Sequence, residues 1–142
     1  MRYLGLDLGS RTLGVAVSDK TGLIASSLEV IRHEEEYDRL LDEVKRLVNE
    51  LEVDAVVLGF PKNMNNTIGP KGELSLEFKE KLEKILSIPV YLQDERLSTK
   101  SALDTLIKGD VSRKNRKKVV DSVAATIILQ SYLDRRKDNE EK

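Results

Sequence analysis

The 142-residue chain contains no cysteine. That absence removes disulfides, thiolate zinc sites and cysteine nucleophiles together, and it fits a reducing compartment. Histidine occurs once, at His33, and one imidazole without the other signals of a Ser-His-Asp arrangement makes no nucleophilic triad. His33 stands before three glutamates and reads as structural or exposed. No apolar run approaches the roughly 20 residues that a membrane helix needs. At the amino end an acid, Asp7, interrupts the chain before any stretch long enough for a signal peptide. The expectation is a cytoplasmic protein without a membrane partner. Charge of one sign is also missing: Lys+Arg 24 against Asp+Glu 25 leaves a formal net charge of −1, so any affinity for nucleic acid must come from a local cluster. There is no internal repeat either.

What is present suits one folded core. Hydrophobic residues make up 39%, too many for intrinsic disorder, and no linker divides the chain. We expect a single domain over residues 1–136 and a polar tail over 137–142. Leu4, Leu6 and Leu8 alternate with Tyr3, Gly5 and Asp7, which is strand periodicity ending at a Gly-Ser turn. Leu13 to Ser18 is a second β-rich run. Asp19-Lys-Thr-Gly22 has the chemistry to reverse the chain into a third strand, about Leu23 to Ile31. Tyr37, Leu40, Leu41, Val44, Leu47, Val48 and Leu51 then follow the spacing of an amphipathic helix. Val53 to Phe60 is nearly unbroken in its apolar character, as an inner parallel strand covered on both faces would be. After a loop from Lys62 to Gly72, the set Leu74, Phe78, Leu82 and Ile85 marks a second helix, and Pro89 to Gln93 a short strand. Ser98 can cap a third helix, and a last helix falls within about Ser112 to Arg136. The fold class is therefore α/β, with a five-stranded mixed sheet, a three-strand antiparallel meander plus parallel strands, flanked by helices.

Three acids stand out against this background. Asp7 ends an otherwise apolar strand that should be central, where a carboxylate is costly unless it is paired, hydrogen-bonded or bound to metal. Its plain alternative is a turn-forming Asp serving Gly9-Ser10. Glu95 ends another strand within Asp94-Glu95-Arg96, where the alternative is an exposed ion pair of little energetic weight. Asp121 is embedded in Val119, Val120, Val123, Ala124, Ala125, Ile127, Ile128 and Leu129, so an acid occupies an apparently buried helix face. The competing reading makes Asp121 a helix N-cap, with the segment before it non-helical. In open α/β sheets the ligand crevice lies beyond the carboxyl ends of the parallel strands, and that rule brings Asp7 and Glu95 to one edge. Carboxylates converging there are hard oxygen ligands suited to Mg²⁺ or Mn²⁺, and such a site can hydrolyse a phosphodiester without a protein nucleophile. The basic run containing Arg113, Arg116, Lys117 and Lys118 precedes Asp121 and has the charge to hold phosphates beside it. A solvated helix start is the alternative for that run.

Taken together, Leu6-Asp7-Leu8-Gly9-Ser10, Gly14 to Asp19, Gly59-Phe60-Pro61 with Asn63-Met64, Asp94-Glu95-Arg96-Leu97-Ser98-Thr99, and Asp121 to Ala125 resemble the YqgF family over nearly the whole chain. The resemblance implies an RNase H-like fold, akin to RNase H and the RuvC-type resolvases. It also implies Asp7, Glu95 and Asp121 as catalytic, metal-binding acids. The implied activity is that of a hydrolase acting on ester bonds, a nuclease maturing the 5′ end of pre-16S ribosomal RNA. The alternative substrate is branched DNA, as for a Holliday junction resolvase. Arg11, Lys62, Asn63 and Arg96 are the further positions offered to nucleic acid. Two departures from the family pattern are visible: Arg11 is followed by Thr12 rather than a second cation, and Asn66 stands where glycine is common. Structured RNA or branched DNA is the expected partner, and a monomer or weak homodimer the expected state. Two other classes compete with a nuclease. A two-lobed phosphotransferase also carries Asp-x-Gly on its first strand, but this chain has one lobe; a non-catalytic RNA-binding module would have no need of all three acids.

Overall fold

In the computed structural model, residues 1–9, 11–61, 67–94 and 116–140 are described, with the side chains of the last segment described from 123 to 136. Strands β1 (Tyr3–Leu8), β2 (Thr12–Ser18) and β3 (Ala25–Arg32) form the antiparallel meander, and β4 (Ala55–Phe60) and β5 (Val90–Asp94) lie parallel beside β1. The sheet order is β3-β2-β1-β4-β5. Helices α1 (Tyr37–Glu50), α2 (Pro70–Ile85) and α3 (Arg116–Glu140) complete the described elements. The helix expected from Ser98 lies outside the described residues. No helix among those described is long and apolar enough to cross a membrane.

The period of two along each strand sorts the side chains onto two unlike faces. Leu4, Leu6, Leu13, Val15, Val56, Leu58 and Val90 pack with Leu40, Val44 and Leu47 of α1 and Phe78 and Leu82 of α2 in one core. On the other face Tyr3, Ala16, Ala55 and Val57 meet Ala125, Ile128, Leu129 and Leu133 of α3. β4 is buried at all six positions, as expected for an inner parallel strand covered on both sides. Large side chains fill the first face, while the sheet side of the second is mostly glycine and alanine, with Tyr3 and Val57 among them.

Two local departures from periodicity have physical causes. The third strand begins at Ala25 rather than Leu23, because Asp19 Oδ1 accepts the backbone N–H groups of Leu23 (2.9 Å) and Ile24 (3.1 Å). That carboxylate takes the place of a strand partner and leaves both side chains exposed. Gly22, with φ of 72°, closes the turn, a conformation glycine adopts without steric cost. In α2 the buried stripe is Gly72, Ser75, Phe78 and Leu82, so Ile85 is exposed and Leu74 only half-buried. The first turn of the helix runs so close to the end of β4 that a Cβ on Gly72 would meet the Pro61 carbonyl oxygen at 2.9 Å. Only small residues fit there. Pro70 opens α2 within the stretch expected to be loop, at a position where a missing N–H costs nothing.

Asp19 makes a prediction about acid behaviour. Hydrogen bonds from the Thr21 hydroxyl and from the Ile24 and Leu23 backbone hold its pKa at about 2, against 3.8 for the free side chain. A depressed carboxyl pKa contributes stability that is fully present above the unfolded value and disappears as the pH falls through the folded one. The Asp19 contribution should therefore be lost between pH 3.8 and about 2. Carbon-detected titration of the carboxyl group should show the low midpoint; an ordinary midpoint near 3.8 would mean that the turn bonds do not persist in solution.

Candidate active site

The carboxyl end of β1 is the centre of the site. Asp7 pairs with Gly14 of β2. The parallel register Tyr3↔Ala55, Gly5↔Val57 and Leu6↔Leu58 continues by one residue to set Asp7 opposite Gly59, and Gly59 pairs with Gln93 of β5. Gly14, Asp7, Gly59 and Gln93 thus form one row across the sheet. Alternation places this row on the α3 face, since Tyr3 and Val57 belong to the α3 core. Tyr91, two residues before Gln93, stacks on Tyr132 of α3 with ring centroids 5.5 Å apart. Asp7 is half-buried, and its two neighbours in the row carry no side chain. Its oxygens are hard donors of the kind Mg²⁺ or Mn²⁺ takes, and the flanking glycines add no competing side chain to the row. Asp94, by contrast, shares its parity with Val90 of the opposite core and is directed away from Asp7.

The turn that follows Asp7 is clamped from β3. Gly9 N–H donates to the Thr12 carbonyl at 2.8 Å and His33 N–H to the Arg11 carbonyl at 2.9 Å. His33 is buried, 4% exposed. Its Nδ1 accepts the Glu35 backbone N–H at 3.0 Å, so the ring proton must sit on Nε2, which donates to the Gly9 carbonyl at 3.0 Å. The imidazole is therefore a structural bridge, packed at 5.5 Å against the Tyr37 ring. His33→Ala leaves both groups unmet, and chemical denaturation should show a loss of about 1–3 kcal/mol; an unchanged midpoint would remove the clamp from the account.

Helix α3 crosses over this face against the direction of β1. A Cβ on Gly5 would meet Leu129 Cβ at 2.7 Å and the Ala125 carbonyl oxygen at 3.1 Å. Farther along the helix, Tyr132 lies 5.8 Å from the Tyr3 ring, and Arg136 donates to the Gly22 carbonyl at 3.3 Å. Rising residue number in α3 thus runs toward the start of β1. Position 121 is one turn before Ala125, about 6 Å along the axis, toward the end of β1 that carries Asp7. Because helix α3 already extends from Arg116, Asp121 is interior to a helix and is not an N-cap. Gln130 ties the helix to the meander: its Oε1 accepts the Ala25 N–H at 2.8 Å and its Nε2 donates to the Leu23 carbonyl at 3.0 Å.

Of the positions expected from sequence, Asp7 and Arg11 lie within the described residues, Arg11 exposed on the clamped turn. Arg116, Lys117, Lys118 and Asp121 lie on α3 at residues whose side chains are outside the description. Lys62, Asn63, Glu95, Arg96 and Arg113 lie outside the described residues. Among the described residues no three His, Cys, Asp or Glu side chains form a metal-holding group. Periodicity missed two residues, Gln93 and the bridging role of His33. Both depend on strand pairing, which no local window of sequence contains.

Comparison with known proteins follows the same lines. The family model described as "RuvX: Holliday junction resolvase" matches residues 1–135. A "Putative pre-16S rRNA nuclease" of Geobacillus sp. (strain WCH70) is 55% identical over 135 residues, covering 94% of this chain and 98% of its own. The protein of the same name from Listeria monocytogenes serotype 4b (strain CLIP80459) is also 55% identical over 135 residues with the same coverage. Among solved structures, Thermus thermophilus RuvC in complex with a Holliday junction substrate aligns with a TM-score of 0.64 at 19% identity, covering 97% of this chain and 96% of that one. The yeast mitochondrial Holliday junction resolvase Ydc2 aligns with a TM-score of 0.54 at 14% identity, covering 92% and 77%. These two likenesses establish the resolvase-type, RNase H-like fold.

Proposed function

Since the chain belongs to the RuvX family, we propose that it is a cytoplasmic, Mg²⁺- or Mn²⁺-dependent nuclease that processes the 5′ end of pre-16S ribosomal RNA. One observation carries the reading: a half-buried Asp7 at the end of the central strand, flanked in its row by Gly14 and Gly59 and overlain by the helix that bears Asp121. Relatives named for this activity match along nearly their whole length, which supports it further. In this reading residues 1–136 act as one nuclease domain with 137–142 as tail, as a monomer or weak homodimer.

Asp7, Glu95 and Asp121 hold the metal. Bound there, the metal supplies charge neutralisation and Lewis acidity at the phosphodiester. Arg11 on the clamped turn, Lys62 and Asn63 beyond β4, Arg96, and the cations Arg113, Arg116, Lys117 and Lys118 contact the phosphates of the bound strand. The net charge of only −1 makes this local cluster the source of affinity. The test is cleavage by the purified protein of pre-16S 5′ fragments and of four-way DNA junctions, with Mg²⁺, Mn²⁺ or chelator. Metal-dependent cleavage of the RNA alone is expected. Cleavage confined to the junction would move the substrate to branched DNA, the reading that the family description favours; binding without cleavage would leave a non-catalytic module.

A further inference from the structure

Arg32 is the last residue of β3, the strand at the open edge of the sheet beside β2, and it is exposed. Strand register fixes the face it is on. Arg32 pairs with Thr12, two residues along β2 from the Gly14 that pairs with Asp7, and residues two apart on a strand share a face. Ala16, two residues beyond Gly14, belongs to the α3 core, whereas Ile31, next to Arg32, packs with the opposite core. Arg32 is therefore on the Asp7 face. Two strand spacings across and two residues along put the two backbones about 12 Å apart. We infer that Arg32 is a substrate-contacting residue, its guanidinium holding a phosphate of the nucleic-acid strand that passes from Asp7 across β2 to the open edge of the sheet.

The charges around Arg32 leave its own unanswered within the chain. Arg39, Arg46 and Lys79 each meet a carboxylate, but among the described residues neither Arg32 nor Arg11 forms an ion pair. The two are also held together: His33 N–H donates to the Arg11 carbonyl at 2.9 Å, which sets Arg11 beside the residue that follows Arg32. The backbone at Arg32 is fixed from α1, because Arg39 Nη2 donates to the Arg32 carbonyl while its Nε lies 3.5 Å from Glu36. Glu34, Glu35 and Glu36 come next in sequence, yet the chain there is passing to α1, which packs on the opposite face. A planar guanidinium is well suited to a phosphate, to which it can donate two parallel hydrogen bonds. A charge that only kept the edge of β3 from pairing with another strand could stand on either face, and the bulge opposite Val15 and Ala16 already interrupts that edge.

The inference rests on the nuclease reading for the identity of the ligand, and the experiment separates the two. Arg32→Gln removes the charge, Arg32→Lys keeps it, and Lys45→Gln makes the same charge change at an exposed position of α1, across the sheet from Asp7. Binding of a fluorescent pre-16S 5′ RNA fragment is followed by anisotropy across a salt series with Ca²⁺ in place of Mg²⁺, cleavage is followed with Mg²⁺, and thermal unfolding is measured without nucleic acid. Arg32→Gln should unfold with the parent, bind RNA about fivefold more weakly near 0.1 M salt, and flatten the log-log salt slope by about 0.7, the counterion contribution of one phosphate contact on a single strand. KM should rise while turnover at saturation is kept. Arg32→Lys should keep the slope of the parent, and Lys45→Gln both its slope and its affinity. Unchanged affinity and slope in Arg32→Gln overturn the inference while the nuclease stands. An equal loss in Lys45→Gln overturns it too, because net charge alone would then be acting, and so does a slope flattened as much in Arg32→Lys or a melting temperature several degrees lower in Arg32→Gln. If the parent binds but does not cleave, the nuclease reading fails and the Arg32 contact is still decided by affinity. A parent that binds neither RNA nor junction overturns both.

Discussion

Gly5→Ala should unfold about 3–12 °C below the parent and lose nuclease activity with it. The added methyl has nowhere to go: its nearest neighbours are a Cβ, that of Leu129 at 2.7 Å, and the backbone carbonyl of Ala125 at 3.1 Å. Neither is the free end of a flexible side chain, so the helix itself must move. Overpacking of this kind costs about 1–3 kcal/mol, and for a chain of this size each kcal/mol lowers the melting temperature by roughly 3–4 °C. The functional loss has a separate origin. Gly5 lies two residues before Asp7 on the same face, and Ala125 lies one turn after Asp121, so lifting α3 off β1 widens the gap between the two acids. Sub-ångström placement matters to such a site, and a displacement of about 1 Å can cost about a hundredfold in rate. Leu129→Ala in the same chain should restore part of both, because it removes most of the clashing side chain; calorimetry and the cleavage assay on the single and double variants test it. A Gly5→Ala protein as stable and active as the parent would mean that α3 does not rest on β1.

Asp7→Asn is the complementary case, expected to abolish cleavage and leave the fold in place. The substitution keeps the size, exchanges one acceptor oxygen for an N–H donor and removes the charge that a hard metal needs. Loss of a mere supporting partner to a metal ligand typically costs about 10–100-fold, so loss of a ligand should exceed that range. On the proposed role, stability should hold or rise, because a carboxylate kept at the end of a buried strand for metal binding is held at some cost to folding. Glu95→Gln and Asp121→Asn should behave in the same way. Full activity in any one of the three would drop that residue from the site, and a melting temperature lower by several degrees would argue that its role is structural.

Much of this architecture is legible in the sequence because hydrophobic period and strand burial report the same thing. Val53 to Phe60 reads as an inner parallel strand from its apolar run, and β4 is buried throughout. The α1 stripe is visible residue by residue, with Leu40, Leu41, Val44, Leu47 and Val48 all buried. Legibility fails where one element responds to another. The stripe of α2 cannot be read from Leu74 and Ile85, because the approach of its first turn to Pro61 selects Gly72 and Ser75 instead. Asp7 is recognisable as an anomaly in its own strand. Gln93 is not, since its place in the Asp7 row appears only once β5 is registered against Gly59. Likewise His33, a lone histidine in sequence, becomes a clamp on the Asp7 turn only through Gly9 and Glu35.

Helix α3 also sets a clock on synthesis. It is the element that covers the Asp7 face, and its bonds reach back 105 residues from Gln130 to Ala25 and 114 from Arg136 to Gly22. Until it leaves the ribosome, a nascent chain has its sheet half-dressed, with the large aliphatic core able to form and the glycine-paved face still open. At about 5–20 residues per second, the interval between the emergence of β1 and that of α3 is on the order of 5–20 s. The Asp7 face is thus complete only once α3 has closed over the first strand.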